Sequence, residues 1–174
     1  ILLAVNPFDQ PDVQAAKDQT DRLLAEYRRS GRLPDDDEAG ALEEFLHQAH
    51  QGHYLAIMAY LPQTPEVDAA IAGLRRSVLE DHRIATTFGY GPRFLHSTGQ
   101  LYKGGPASGL FLQIVAQGAD DVEIPGEPYS FGVLVNAQAM GDLKALREQG
   151  SRVARVRLGV DHVAGLRRLV ESLS

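Results

Sequence analysis

The sequence predicts an α/β fold with three layers, αβα, in which a mainly parallel sheet is the middle layer. Short apolar runs alternate along the chain with longer segments whose apolar residues recur every three or four positions. The apolar runs are continuous, which is typical of strands that are covered on both faces of a parallel sheet. Several of the longer segments also open with residues that cap helices, such as Thr64 followed by Pro65.

The first 33 residues predict one strand and one helix. The run ILLAVNPF (1–8) reads as a buried strand, and Pro11 suits the first turn of a helix over 11–29. Apolar positions from Val13 to Tyr27 follow the helical period. Because one strand and one helix cannot bury their own apolar faces, we expect this chain to be the C-terminal part of a longer polypeptide.

Residues 34–40, with the sequence PDDDEAG, combine proline, glycine and a run of acids. This composition is typical of a solvated linker. The sequence therefore predicts a boundary here, with a separate α/β unit over 41–174.

The helices and strands of that unit are predicted from the spacing of apolar residues and from the residues that begin and end helices and turns. Helices are expected in EAGALEEFLHQAHQG, TPEVDAAIAGLRRSVLEDHR, FGVLVNAQAMGDLKALREQG and VAGLRRLVESL. Strands are expected in HYLAIMAYL, IATTFGYG, GLFLQIVAQ and RVARVRLG. PRFLHSTGQLYKGGP is expected to form a loop or a short helical turn, and ADDVEIPGEPYS an irregular loop.

Composition excludes several classes of function. The net charge is −6 with no basic stripe, which argues against a nucleic-acid partner. The 174 residues include no cysteine, so disulfides and thiolate chemistry are excluded. No apolar run approaches the roughly 20 residues needed to span a bilayer. We therefore expect a cytoplasmic protein with no membrane partner.

One dense motif joins the first strand to the first helix. In VNPFDQPDVQAAK the strand ends in Asn6, Phe8, Asp9 and Gln10, and Lys17 follows seven residues after the glutamine. This pattern resembles the C-terminal signature of phosphoglucose isomerase (glucose-6-phosphate isomerase), in the form found in bacteria.

Two later stretches resemble the C-terminal extension of bacterial proteins that fuse transaldolase to phosphoglucose isomerase. They are ATTFGYGPRFLHSTGQLYKGGPASGLFLQI and IPGEPYSFGVLVNAQAMGDLKAL. The resemblance implies that 1–33 is the last strand and helix of the isomerase domain, that 34–40 is the linker, and that 41–174 is the extension. It also implies a sugar isomerase-like fold and a place in glycolysis, gluconeogenesis and the pentose phosphate pathway.

The resemblance further implies roles for two side chains. Gln10 would bind the sugar phosphate, and Lys17 would be catalytic, assisting ring opening and stabilising charge on sugar oxygens. An upstream glutamate would move the proton through an enediol, so that glucose 6-phosphate and fructose 6-phosphate interconvert without a cofactor. General acid–base groups each contribute roughly 10²–10⁴ in rate, so this fragment is expected to be nearly inactive alone.

The position of Lys17 also has a plain structural interpretation. It lies at the edge of the predicted apolar stripe, where a lysine stem often covers apolar surface while its ammonium reaches water. Spacing alone favours this interpretation, and the motif favours the catalytic one.

A second candidate is an anion site in the glycine-rich segment GPRFLHSTGQLYKGGP. Hydroxyls, backbone amides at glycines and two cations are the groups that bind phosphate. The candidate residues are Arg93, His96, Ser97, Thr98, Gln100 and Lys103. The alternative is a polar loop whose serine, threonine and glycine residues serve its turns.

Two further alternatives remain open at the level of sequence. His47, His50 and His53 are three residues apart, a spacing that can bind metal but is more typical of a solvated helix end, and no metal site is assigned. The unit after the linker also has a non-catalytic interpretation. In that case it docks subunits or senses a sugar phosphate, with the exposed edge of the sheet as a place for the parent polypeptide or another copy to bind.

Overall fold

A computed structural model describes residues 11–35, 41–116 and 121–173 of the chain. Several sequence predictions fall outside the described residues. These are the strand over 1–8, the motif residues Asn6, Phe8, Asp9 and Gln10, and linker residues 36–40.

The described residues form an α/β unit whose elements closely follow the predicted ones. The helices are α1 (Pro11–Ser30), α2 (Leu42–Leu46), α3 (Pro65–His82), α4 (Gly99–Gly104), α5 (Phe131–Glu148) and α6 (His162–Glu171). The strands are β1 (Tyr54–Tyr60), β2 (Ala85–Tyr90), β3 (Gly109–Ala116) and β4 (Arg152–Leu158), and a 3₁₀ turn covers Arg93–His96.

The strands form one parallel sheet in the order β2-β1-β3-β4. Tyr54 at the start of β1 pairs with Ala85 on one side and Gly109 on the other. Helices cover both faces of the sheet, which confirms the predicted α/β class.

One face of the sheet, which we call the apolar face, packs against α2, α3 and α6. Alternate β-strand residues such as Leu55, Ile57 and Leu112 point to this side and are fully buried. They meet Ile71 and Leu74 of α3, which are also enclosed. Burial of such side chains stabilises the fold by about 1.5–3 kcal/mol each.

The opposite face, which we call the mixed face, packs against α4 and α5. Its apolar members include Met58, Phe94, Tyr102 and Phe111, but polar side chains are enclosed among them. Helix α1 lies on the outer side of α5.

Helices α1 and α5 run antiparallel. Gln19 donates to Glu148 near the C-terminal end of α5, whereas Leu23 and Leu24 pack near its beginning, with Ala137 and Met140. The predicted first segment therefore shares a small core with the α/β unit, and the predicted boundary at 34–40 stays a prediction.

Capping explains where three helices begin. The side chains of Thr64, Ser130 and Asp161 each accept the backbone N–H three residues later. Helix α2 ends at Leu46 and is shorter than predicted. A turn closed by the N–H of His53 and the carbonyl of His50, with Gly52 at φ +89°, then directs the chain into β1.

Candidate functional site

A cleft lies at the carboxyl edge of the parallel sheet. It has a volume of about 790 Å³ and receives Tyr60–Pro62 from the end of β1 and Val115–Ala116 from the end of β3. These two strands are neighbours, but the chain leaves β1 toward β2 and leaves β3 toward β4. Open α/β sheets bind their ligands at such a reversal of strand order.

The wall of this cleft is largely apolar, with a few polar side chains. Val122 and Phe131 are 62% and 51% exposed, and both line it. Asn136, Arg157 and His162 supply polar groups from α5, β4 and α6. An apolar wall with a few orienting polar groups is typical of small-molecule sites.

The amino end of α5 opens into the cleft but already binds a carboxylate. Asp121 accepts the backbone N–H of Gly132 at 2.7 Å and the hydroxyl of Ser130. These bonds, the Ser130 hydroxyl first, lower the pKa of the Asp121 carboxyl. A ligand anion would have to displace Asp121 from this end of the helix.

A buried ion pair lies deeper on the mixed face. Lys103 of α4 pairs with Asp142 of α5, and neither side chain is exposed. Burial raises the pKa of Asp142, while the neighbouring ammonium of Lys103 offsets part of that shift. The pair ties α4 to α5 across the interior.

Further polar groups extend from this pair toward the cleft. Arg155 is 1% exposed and donates to the side-chain oxygen of Asn136 at 3.0 Å. Burial raises the pKa of Tyr60 well above its usual value, with a further contribution from Asp142 and an opposing one from Arg155. Because Tyr60 and Asn136 also line the cleft, its floor is continuous with the buried polar groups.

Lys17 lies far from this cleft. It is exposed on the amino-terminal half of α1, as the plain structural interpretation of its position predicts. The amino end of α1 lies near the end of α5, where Asp12 accepts a hydrogen bond from Gln149 at 2.6 Å. Tyr27, which does line the cleft, is ten residues or roughly 15 Å further along the helix axis.

The six predicted anion-binding residues have separate surroundings. Arg93 donates to Gln63 at 2.8 Å, Gln100 donates to Asp12, and Ser97 donates to the carbonyl of Phe94. The structure does not bring these groups together around one point.

The remaining members of that set differ in exposure. Lys103 points inward to Asp142, His96 is exposed, and Thr98 precedes α4 without a side-chain capping bond. The prediction of an anion site at 93–103 therefore gains no support from the arrangement of its side chains.

Sequence reasoning missed the buried polar groups of the mixed face. A weak signal was present for two of them. Asp142 interrupts an apolar helical stretch, AMGDLKAL, and Arg155 occupies an inward position of the alternating strand RVARVRL. For Tyr60 and Asn136 the sequence alone offered no signal that we recognise.

Within 11–35, 41–116 and 121–173 the structure shows no group of three or more metal-ligating side chains. No described helix is long and apolar enough to cross a membrane.

No family model and no curated protein matches this sequence. Among solved structures, the chain is similar to a hypothetical protein from Thermus thermophilus, with a TM-score of 0.64 and 19% identity. That match covers 95% of this chain and 43% of the other, so this chain spans less than half of its relative. At this identity the likeness shows the fold alone.

A de novo designed Rossmann fold protein also matches over 68% of this chain and 95% of its own length, at 12% identity. Its TM-score of 0.39 is too low to support any inference.

Proposed function

We propose that this chain is the C-terminal α/β part of an aldose–ketose isomerase that interconverts glucose 6-phosphate and fructose 6-phosphate. The observation that carries the proposal is the motif over 6–17, with Gln10 as a substrate-binding residue and Lys17 as the catalytic cation. A bifunctional parent with a transaldolase half, acting in the cytoplasm, is part of the same proposal.

The exposure of Lys17 is compatible with a site completed by other residues. Helix α1 turns one side to α5, through Ala16 and Thr20 beside Gly141, and leaves Lys17 on its open surface. A sugar phosphate held between this surface and upstream residues would enclose the ammonium. Lys17 would then donate a proton or stabilise a developing alkoxide during ring opening.

The proposal assigns ring opening and proton transfer to different parts of the polypeptide, because the two steps require different groups. Proton transfer between C2 and C1 requires a base, which the proposal places upstream, and no carboxylate of the described residues forms a salt bridge with Lys17. The reaction moves protons only, so it requires no nucleotide, and this chain alone is expected to have little turnover.

The test is turnover by the complete polypeptide that contains this chain. Lys17→Ala should lower the isomerase rate by about 10² or more, because a general acid–base group contributes roughly 10²–10⁴. Arg22→Ala is the matched control, since Arg22 is also an exposed cation of α1, and it should retain the wild-type rate. Equal activity of both variants would reject the proposed role of Lys17.

The carboxyl-edge cleft favours a second candidate, a non-catalytic unit that senses a sugar phosphate. Its position at the reversal of strand order is the specific observation. Phe131→Ser should then weaken fructose 6-phosphate binding without changing isomerase turnover, because Phe131 is exposed at the cleft wall. Leu79→Ser, at an exposed leucine of α3 on the other side of the sheet, is the control.

A further inference from the structure

A second cavity lies at the opposite, amino edge of the sheet. It has a volume of about 510 Å³ and is bordered by His50 and His53 before β1, by Arg152 at the start of β4, and by Tyr102 and Lys103 of α4. None of the described residues that line it is an aspartate or a glutamate. Its charged side chains are all basic.

Arg152 supplies most of the positive charge of this cavity. Its guanidinium donates to the carbonyls of Gln48 at 3.3 Å and Ala107 at 3.0 Å, which fix its position without neutralising it. Among the described residues no carboxylate forms a salt bridge with Arg152. Lys103 differs, because its charge is balanced by Asp142.

The ring of His53 lies beside this guanidinium. Nη1 of Arg152 is 3.2 Å from Nδ1, and Nη2 is 3.3 Å from Nε2. The backbone N–H of His50 donates to Nδ1 at 2.9 Å, which places the proton of the neutral ring on Nε2. The N–H groups at Nε2 and Nη2 are then both donors, and an acceptor between them would satisfy both.

We propose that this amino-edge cavity binds a small oxyanion, such as a phosphate group, between Arg152 and His53. A tetrahedral oxyanion would accept from the guanidinium and from Nε2 of His53 at once, as charge-assisted hydrogen bonds. The site stands apart from the proposed isomerase function, because it uses neither Lys17 nor the carboxyl-edge cleft.

Binding at this site depends on pH through His53. Burial, Arg152 and His50 all lower the pKa of His53. A bound anion offsets the repulsion from Arg152 and raises that pKa, so affinity increases as pH falls and the ring is protonated.

Two other charged groups lie near the cavity. Asp142 neutralises Lys103, whereas Asp12 accepts hydrogen bonds from the neutral amides of Gln100 and Gln149 and keeps its negative charge. Gln149 stands between Asp12 and the cavity, which it lines. His50 lies 5.4 Å from His53 between ring centroids and adds to the positive potential when it is protonated.

The experiment is a histidine-selective NMR titration of the complete polypeptide with inorganic phosphate. Saturable shifts of the His53 ring are expected, with its pKa raised by about one unit, which corresponds to roughly tenfold tighter binding to the protonated form. Competition by fructose 6-phosphate would assign the site to a phosphate monoester, and its absence would assign it to free phosphate. No saturable shift at His53 would overturn the proposal.

Two variants and two matched controls separate binding from folding. Arg152→Gln should weaken phosphate binding at least tenfold, but it also removes charged donors to Gln48 and Ala107. His53→Asn keeps those contacts and should abolish the increase in affinity at low pH. His47→Asn and Arg76→Gln, at exposed positions, should bind as wild type. Wild-type affinity and pH dependence in a folded His53→Asn protein would also overturn the proposal.

Discussion

The two faces of the sheet bury different kinds of side chain. The apolar face joins β-strand residues such as Leu112 to α3 and α6 through a core of apolar side chains. The mixed face encloses Lys103, Asp142 and Arg155 beneath α4 and α5. Taking two charges out of water costs desolvation energy, and their mutual attraction does little more than offset it. The mixed face therefore gains little net stability from its ion pair. What such a pair can supply is a fixed relation between two elements, here α4 and α5.

The positions of the cavities follow the same division. The amino-edge cavity is bordered by Tyr102 and Lys103 of the mixed face, and the carboxyl-edge cleft includes Tyr60 and Asn136 of that face. We infer that the apolar face supplies the stability that lets the mixed face carry polar side chains.

The largest predicted effect follows from breaking the buried pair. Asp142→Ala leaves the Lys103 ammonium enclosed without its partner and should lower the free energy of unfolding by about 3–5 kcal/mol. The double variant Lys103→Met with Asp142→Leu should recover most of this loss. Denaturant unfolding measures both, and a double variant no more stable than Asp142→Ala would contradict the account.

A core truncation provides the comparison on the apolar face. Leu112 of β3 is fully buried, and Leu112→Ala should cost about 2–5 kcal/mol through lost transfer energy and a residual cavity. Replacing the charged pair Lys103 and Asp142 by apolar residues should not recover the stability lost in Leu112→Ala. A cost below about 1 kcal/mol would show that this face does not supply the stability that we assign to it.

A smaller effect is expected where α1 crosses α5. A Cβ atom at Gly141 would lie 2.5 Å from Oγ1 of Thr20 and 2.9 Å from the backbone oxygen of Ala16. Gly141→Ala should therefore displace α1 and cost about 1–3 kcal/mol by overpacking. Gly73→Ala, at a helical glycine of α3 with open space around it, is the control and should be neutral or stabilising. Unchanged stability of Gly141→Ala would show that α1 is held loosely.

The smallest effect concerns the cap of α3, on the apolar face. Thr64 accepts the N–H of Val67 at 3.3 Å, and Thr64→Ala should cost about 1 kcal/mol. Thr64→Ser, which keeps the hydroxyl, is the control. Thermal unfolding resolves such a change, and equal loss in both variants would show that the hydroxyl is not what matters.

The sequence predicted the helices and strands better than it predicted which side chains would contact each other. The helical spacing of apolar residues and the residues that begin and end helices predicted the bounds of α3 and α5 to within about two residues. They could do so because Pro65 and the caps act locally. The partners of Lys103 and Gln100 could not be predicted, since Asp142 and Asp12 come from distant parts of the chain. Six polar residues close in sequence therefore looked like one site, although folding points them in different directions.

The carboxyl-edge cleft was predictable in kind but not in detail. A parallel sheet implies a ligand site beyond its strand ends, but the strand order that fixes its position depends on long-range packing. The signal for Lys17 was a motif, which indicated chemistry without indicating exposure. This is why the proposed isomerase role depends on residues outside the described structure.

The most direct test of the central claim is isomerisation of fructose 6-phosphate by the complete polypeptide in deuterated water. We expect glucose 6-phosphate that carries deuterium at C2, because an enediol intermediate exchanges its proton with solvent. Lys17→Ala should slow this product by about 10² or more, and Arg22→Ala should not. Recovery of unconverted and unlabelled fructose 6-phosphate from the wild-type polypeptide would contradict the claim.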